Sequence, residues 1–339
     1  MDRLVGAVAL LESLWEGTEV AGAKLHHTVP QFYLRGFAND DDRIATVKLP
    51  GDCRFIQKIG STAAINHFYS IDGHPDGSDA FERALSKLEG GAAAVLRTIV
   101  QGDWPLSAEQ RLTLSTFLAV QTVRGPDHRR TMEYLSAQMT RLELTYTGRE
   151  NVQDWAERRY GVELDEDEAE ELWQRITRPE GPPITMTPIA HIAHIIEAAN
   201  RLLPYILGRP WTLVRFDRRP LVTSDSPVGL MPAQWAEPWE GVGFATAQLI
   251  TFPLTRKLGL VMGDGMLFAE RNIPVHRLRA GEADESEPGT TAMARLINDL
   301  TVNSASEYIY HHPDDEHALP SPLPGPTRSN LAIPGHASG

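Results

Sequence analysis

Three long segments with apolar residues at helical spacing constrain the fold most strongly. In residues 79–99, 107–124 and 187–207, large apolar side chains recur three and four positions apart over several turns, as expected for helices that bury one face. Shorter runs of a different kind lie at 43–59 and within 211–262, where β-branched and apolar residues are separated by turn signals. These runs predict strands that pair mostly with their neighbours. We therefore predict an α+β fold, with a mainly helical body and a small, largely antiparallel β-sheet.

The chain has 339 residues, which is enough for one large domain or two small ones. We interpret residues 24–312 as a single compact domain, because polar residues from both halves of this range contribute to one candidate site. A Pro- and Gly-containing linker marks the best internal boundary, near 179–186. Residues 1–23 are predicted to be an N-terminal extension. Residues 313–339, in which Pro, Ser and Gly dominate, are predicted to be a disordered tail, and the two histidines just before it are expected to be exposed.

Charge and cysteine content narrow the classes of partner. The formal net charge is -13, which weighs against a general nucleic-acid binder, although a local basic groove would still admit nucleic acid as a partner. Cys53 is the only cysteine, so an intramolecular disulfide is excluded and a reducing cytoplasm fits. Since no run approaches about 18 uncharged apolar residues, we predict no membrane span and no membrane partner.

Residues 24–38 combine two adjacent histidines with an amide, a phenol and a guanidinium. Pro30 favours an extended approach followed by a short helix, on which Gln31 and Arg35 would share a face. One interpretation is a site that orients an anionic or polar ligand, with a histidine as base or metal ligand. The other is a structural arm whose histidines satisfy buried backbone carbonyls. The candidate residues are His26, His27, Gln31, Tyr33 and Arg35.

Further polar candidates lie at the ends of predicted elements. Gln121 shares the apolar face of the second long helix, and Arg124 lies three residues later. Either both aim polar groups into a pocket, or Arg124 caps carbonyls at the C-terminus of the helix. Asp225 lies at the end of a predicted strand. It either forms a local turn or presents its carboxylate towards the two histidines across the fold.

The same residues carry a resemblance to a known family. HHTVPQFYLRGF at 26–37 resembles the opening signature of the DUF4238 family, a group of bacterial proteins defined as a domain of unknown function. QTVRGP at 121–126 and TSDSPV at 223–228 are similar to later segments of that family, in the same order. The resemblance spans residues 24–311. It implies little about activity, and no catalytic residue is carried over from it.

Histidine, aspartate and arginine together suit the hydrolysis of a phosphodiester or a similar anionic substrate. A hydrolase of this kind would use His26, His27 and Asp225 as catalytic groups, with or without a divalent metal ion as cofactor. Its substrate would be bound by Gln31, Tyr33, Arg35, Gln121 and Arg124. The alternative is a non-catalytic ligand-sensing or protein-interaction module that binds a small anionic ligand at the same polar cluster. The sequence contains no Gly-rich phosphate loop, nucleophile elbow or dinucleotide fingerprint.

Overall fold

The computed structural model divides into two compact units. It describes residues 25–69, 80–237, 240–266 and 273–326. The first unit contains the described residues before Pro126 and from Ile192 onward, and the second contains Pro126–His191. The predicted N-terminal extension, residues 1–23, lies outside the described residues. That residues 24–312 form one domain stays a prediction.

Helices occur in both units, and the described strands all belong to the first. The helices are α1 (Gln31–Leu34), α2 (Ala80–Gln101), α3 (Ala108–Val123), α4 (Pro126–Thr147), α5 (Val152–Tyr160), α6 (Glu166–Ile176), α7 (Pro188–Leu207), α8 (Val275–Arg279) and α9 (Thr291–Ser304). The strands are β1 (Leu25–His27), β2 (Arg43–Lys48), β3 (Cys53–Lys58), β4 (Ala64–Asn66), β5 (Trp211–Arg215), β6 (Thr223–Ser224), β7 (Gly229–Met231), β8 (Leu249–Thr255), β9 (Leu258–Met262), β10 (Glu285–Pro288) and β11 (Tyr308–His311). The predicted α+β class is confirmed. None of the described helices is long and apolar enough to cross a membrane.

The long helices follow local signals in the sequence. Helix α3 begins after Ser107, whose hydroxyl accepts a hydrogen bond from the backbone N–H of Gln110 at 3.2 Å. The Gln110 side chain accepts from the backbone N–H of Ser107 at 3.0 Å, which completes a capping box. Together with α2 and the part of α7 from Ile192 onward, this helix supplies much of the apolar core of the first unit.

The described strands form three sheets, where the sequence predicted a single one. β1 pairs with β4, and a four-stranded sheet has the order β3-β2-β11-β6. A five-stranded sheet has the order β10-β5-β9-β8-β7. Every pairing is antiparallel except that of β10 with β5, so the predicted antiparallel character holds for the described strands with one exception.

A buried carboxylate explains the parallel pair. Asp284 immediately precedes β10, and its Oδ1 accepts a hydrogen bond from the backbone N–H of Trp211, the first residue of β5, at 2.9 Å. Arg111 of α3 donates to the same carboxylate from Nε at 2.8 Å, and both side chains are almost completely buried. Because both strands begin at this carboxylate, they leave it in the same direction. No local pattern in the sequence predicts such a pairing.

The second unit has its own small apolar core. Residues Leu144, Val152, Trp155 and Ile176 are buried against one another within it. The predicted boundary near 179–186 lies inside this unit and contacts α4. The Gln138 side chain donates to the carbonyl of Glu180 at 3.2 Å, and Glu133 accepts from the backbone N–H of Met186 at 2.9 Å.

The prediction of a disordered tail from residue 313 is wrong for its described part, residues 313–326. His311 and His312, which we expected to be exposed, are buried; His311 belongs to β11, an inner strand between β2 and β6, and His312 follows it. Asp315 is buried and binds Arg256 at 2.8 Å. Leu319 and Leu323 pack against the apolar cluster that contains Val47, Val302 and Ile309. Residues 327–339 lie outside the described residues.

Candidate functional site

His26 is a buried member of β1. Its Nδ1 accepts a hydrogen bond from the backbone N–H of Tyr69 at 2.8 Å, and its ring stacks on the Tyr69 ring with centroids 5.7 Å apart. Since the backbone N–H is the donor, Nδ1 carries no proton. This ring nitrogen therefore fixes the chain around Tyr69.

His27 is half-buried, and both of its ring nitrogens have partners. Nδ1 lies 3.2 Å from the carbonyl oxygen of Thr62, which can only accept, so Nδ1 carries the proton. Nε2 then accepts from the side-chain amide of Gln31 at 2.9 Å. Burial lowers the pKa of His27, and this outweighs the opposing effects of the Thr62 bond and of Glu89. The imidazole is thus held neutral.

The lowered pKa of His27 predicts a pH dependence of stability. In the unfolded chain the pKa of His27 lies near its ordinary value of 6.5, whereas in the folded chain its pKa is lower. A proton therefore binds more tightly to the unfolded chain. The free energy of unfolding should therefore fall as the pH is lowered from about 7.5 to 5.5, and His27→Gln should reduce this fall. Urea unfolding at both pH values measures the effect. His276→Gln, at an exposed histidine, is the control; equal reductions in the two variants would contradict the expectation.

Gln121 and Arg124 bind the backbone of the opening segment from the end of α3. The Gln121 amide donates to the carbonyl of Thr28 at 3.0 Å. Arg124 donates to the carbonyl of His27 and to Glu89 at 2.7 Å. Burial alone would lower the pKa of Arg124, but Glu89 and Tyr69 outweigh it, so its pKa is raised and it stays charged. We name this group the clasp: His26, His27, Gln31, Gln121 and Arg124.

Two further predicted site residues, Tyr33 and Asp225, bind elements outside the clasp. The Tyr33 hydroxyl donates to the carbonyl of Pro253 at 2.6 Å and accepts from Thr223 at 2.7 Å. Burial raises the pKa of Tyr33 despite the Thr223 bond. The Asp225 carboxylate accepts from the backbone N–H groups of Ser306 and Glu307, each at 2.8 Å, and of Tyr308 at 3.0 Å. These bonds join Asp225 to a segment 81 to 83 residues later in the chain, so they are not the bonds of a local turn.

Arg35 does not share a polar cluster with Gln31, although the sequence predicted a common face. Helix α1 has only four residues and continues as a 3-10 turn over Arg35–Phe37, so the spacing of a regular α-helix does not apply. Gln31 turns to His27, whereas Arg35 is exposed and lies 3.6 Å from Asp42. Arg35 instead borders a cavity that the sequence did not predict.

This cavity has a volume of about 720 Å³ and lies entirely within the first unit. It lies where α2, the segment 32–36, the end of β5 and the β8–β9 turn meet. Five of the lining residues are basic and one is acidic: Arg35, Arg97, Arg215, Arg256, Lys257 and Asp217. The apolar lining residues include Phe32, Ala93, Leu96, Val100, Phe216 and Leu258. We name it the basic cavity.

Several charges of the basic cavity lack a fixed counter-ion. Arg256 binds Asp315 through one terminal nitrogen at 2.8 Å, while its buried Nε has no partner in the described structure. Across the described ranges, no ion pair involves Arg97, Arg215 or Lys257. Positive charge is therefore concentrated beside an apolar wall, which is the arrangement that binds an organic anion.

Gly36 connects the opening segment to the basic cavity. A Cβ at this position would lie 3.2 Å from the carbonyl oxygen of Leu254 and 3.1 Å from the Thr255 methyl group. The Gly36 carbonyl accepts from the backbone N–H of Arg256 at 2.9 Å. The close approach that glycine allows thus brings Arg35 beside the β8–β9 turn. No sequence signal marks the other basic residues, because they come from distant segments.

The opening segment, the clasp and the basic cavity all lie within one family match. The model of the family described as a protein of unknown function (DUF4238) matches residues 25–315. This chain belongs to the DUF4238 family. The DUF4238 match includes every residue of the clasp and every residue that lines the basic cavity. No curated protein and no solved structure matches the chain.

A metal site is not apparent in the part of this DUF4238 chain that the structure describes. Within residues 25–69, 80–237, 240–266 and 273–326, no group of three or more His, Cys, Asp or Glu side chains is arranged to hold a metal ion. The clasp residues instead make hydrogen bonds to backbone groups and to one another.

Proposed function

We propose that this protein binds an organic anion in the basic cavity, as a ligand-sensing protein. The observation that carries this assignment is the excess of basic over acidic groups around the cavity in a chain whose formal net charge is -13. A patch of positive charge on a protein of negative net charge attracts and orients an anion. A cytoplasmic setting fits the single cysteine, Cys53, which is free and exposed.

Binding ranks ahead of hydrolysis because the predicted catalytic groups already have structural partners. The Asp225 carboxylate accepts three backbone hydrogen bonds, and the two ring nitrogens of His27 are both engaged. A general base needs a free lone pair within reach of the proton that it abstracts. The basic cavity, by contrast, offers guanidinium groups such as that of Arg215, which suit phosphate and carboxylate groups.

We expect Arg215→Ala and Lys257→Ala each to weaken binding of phenyl phosphate about tenfold or more. A hydrogen bond to a charged group contributes about 1.5 to 3 kcal/mol, which corresponds to at least a tenfold change in affinity. Isothermal titration calorimetry of the full chain measures the affinity. Arg218→Ala removes the same charge from a neighbouring exposed position outside the cavity lining, and should change the affinity less than twofold, as expected for a screened surface charge.

Two outcomes would overturn this assignment. The first is that the wild-type protein binds neither phenyl phosphate nor pyrophosphate, or that Arg218→Ala weakens binding as much as the cavity variants. The second is turnover: release of 4-nitrophenol from bis(4-nitrophenyl) phosphate, with or without added Mn²⁺, that is lost in Arg215→Ala would make the protein a hydrolase.

A further inference from the structure

On the basis of the proposed anion binding, we infer that the ligand of the basic cavity is amphipathic: an organic phosphate with one apolar chain or ring. The basic and apolar lining residues are unevenly distributed among the elements that form the cavity. Three of the basic residues, Arg215, Arg256 and Lys257, lie at the end of β5 and in the β8–β9 turn. Helix α2 contributes three apolar residues together with Arg97 and Gln101. A ligand that matches both sides must carry its charge at one end.

The apolar side is formed largely by one face of α2, on which Arg97 also lies. Ala93, Leu96 and Val100 line the cavity at positions i, i+3 and i+7, which lie on one face of a helix. Val100 leaves 55% of its surface exposed, so its side chain is accessible to a ligand in the cavity. Phe32 extends this face and packs on the Phe117 ring with centroids 5.4 Å apart.

The size of the cavity also favours an apolar body on the ligand. At about 720 Å³ the cavity lies within the range of roughly 300 to 1,000 Å³ that accommodates drug-sized ligands. Inorganic phosphate or pyrophosphate would occupy a small part of this volume and would leave Val100 and Phe32 in water. An alkyl or aryl group attached to the phosphate would cover them, and burial of apolar surface would then add to the affinity.

The test is a series of monoalkyl phosphates. We expect affinity to rise from inorganic phosphate through butyl and hexyl to octyl phosphate, by up to about fourfold for each buried methylene group, and then to level off. Octanol, which has no anionic group, should bind at least tenfold more weakly than octyl phosphate. Vesicles that contain phosphatidic acid display the same head group on a membrane. They should not compete with octyl phosphate, since their chains stay in the bilayer.

A matched pair of valine variants locates the effect. Val100→Ser should reduce the preference for octyl phosphate over inorganic phosphate at least fivefold. Val275→Ser alters an exposed valine outside the cavity lining and should leave both affinities unchanged. Arg215→Ala should weaken every phosphate in the series.

The outcomes separate this inference from the proposed function. If every phosphate binds with the same affinity, or if the vesicles compete, the amphipathic ligand is overturned while anion binding survives. If Val100→Ser keeps the full chain-length preference, the preference arises elsewhere and the inference is also overturned. If no member of the series binds, the proposed function fails as well.

Discussion

Arg124→Met should lower the free energy of unfolding by about 3 to 5 kcal/mol, because it breaks a buried ion pair and leaves the partner charge behind. The Arg124 side chain is 1% exposed and that of Glu89 is 23% exposed. Methionine fills a similar volume but donates no hydrogen bond, so the carbonyl of His27 also loses a partner. Urea unfolding followed by circular dichroism measures the change.

The matched control is Arg201→Met, which breaks an ion pair on the surface. Arg201 and Glu197 lie 2.5 Å apart but are 77% and 61% exposed. Exposed pairs four residues apart in a helix contribute about 0.3 to 0.5 kcal/mol, so this variant should remain close to the wild type. If Arg124→Met proves as stable as Arg201→Met, Arg124 is not a structural residue and the pocket interpretation of its side chain gains support.

Features with a local cause were predictable from the sequence. The capping box of Ser107 and Gln110 lies within four residues, at the start of the segment 107–124 that its apolar spacing predicts to be a helix. The apolar stripes located the long helices for the same reason, since helical spacing is a property of neighbouring residues. The hairpin of β2 and β3 follows from a turn between two short runs. In each case the interaction and the signal lie in the same short segment.

Features that depend on distant residues were not predictable. Asp284 holds β10 beside β5 by accepting from the backbone N–H of Trp211, and it also binds Arg111, which lies 173 residues away. Arg35, Arg97, Arg215 and Lys257 look like ordinary surface residues in the sequence, and only the fold brings them around one cavity. The burial of His311 likewise follows from the position of β11 in its sheet.

The opening segment has two roles that its sequence pattern does not separate. His26, His27 and Gln31 hold neighbouring backbone or one another, while Phe32 and Arg35 line the basic cavity. The sequence singled out this segment and left two interpretations of its histidines open, a ligand site and a structural arm. In the structure the two histidine rings bind backbone groups and the Gln31 amide, and the exposed guanidinium of Arg35 borders the proposed binding site.

Asp225→Ala should lower the free energy of unfolding by about 3 kcal/mol. The carboxylate accepts hydrogen bonds from three backbone N–H groups, which precede and begin β11. A hydrogen bond to a charged acceptor contributes about 1.5 to 3 kcal/mol. In the variant, water binds some of the freed N–H groups and restores part of the lost stability. Loss of these bonds frees the start of an inner strand, between β2 and β6. Urea unfolding measures the loss, and Asp41→Ala, at an exposed aspartate, should change stability by less than about 0.5 kcal/mol.

Asp225→Asn distinguishes a structural carboxylate from a catalytic one. An asparagine side chain has one acceptor oxygen, and its NH₂ group would face a backbone donor, so this variant should also be destabilised, by about half as much as Asp225→Ala. Its affinity for phenyl phosphate should equal that of the wild type at temperatures where it is folded, because Asp225 does not line the basic cavity. A catalytic aspartate would give the opposite result: near-normal stability in Asp225→Asn together with the loss of a phosphodiesterase activity that the wild-type protein possesses. Stability and turnover measured on the same preparation therefore decide between the two roles.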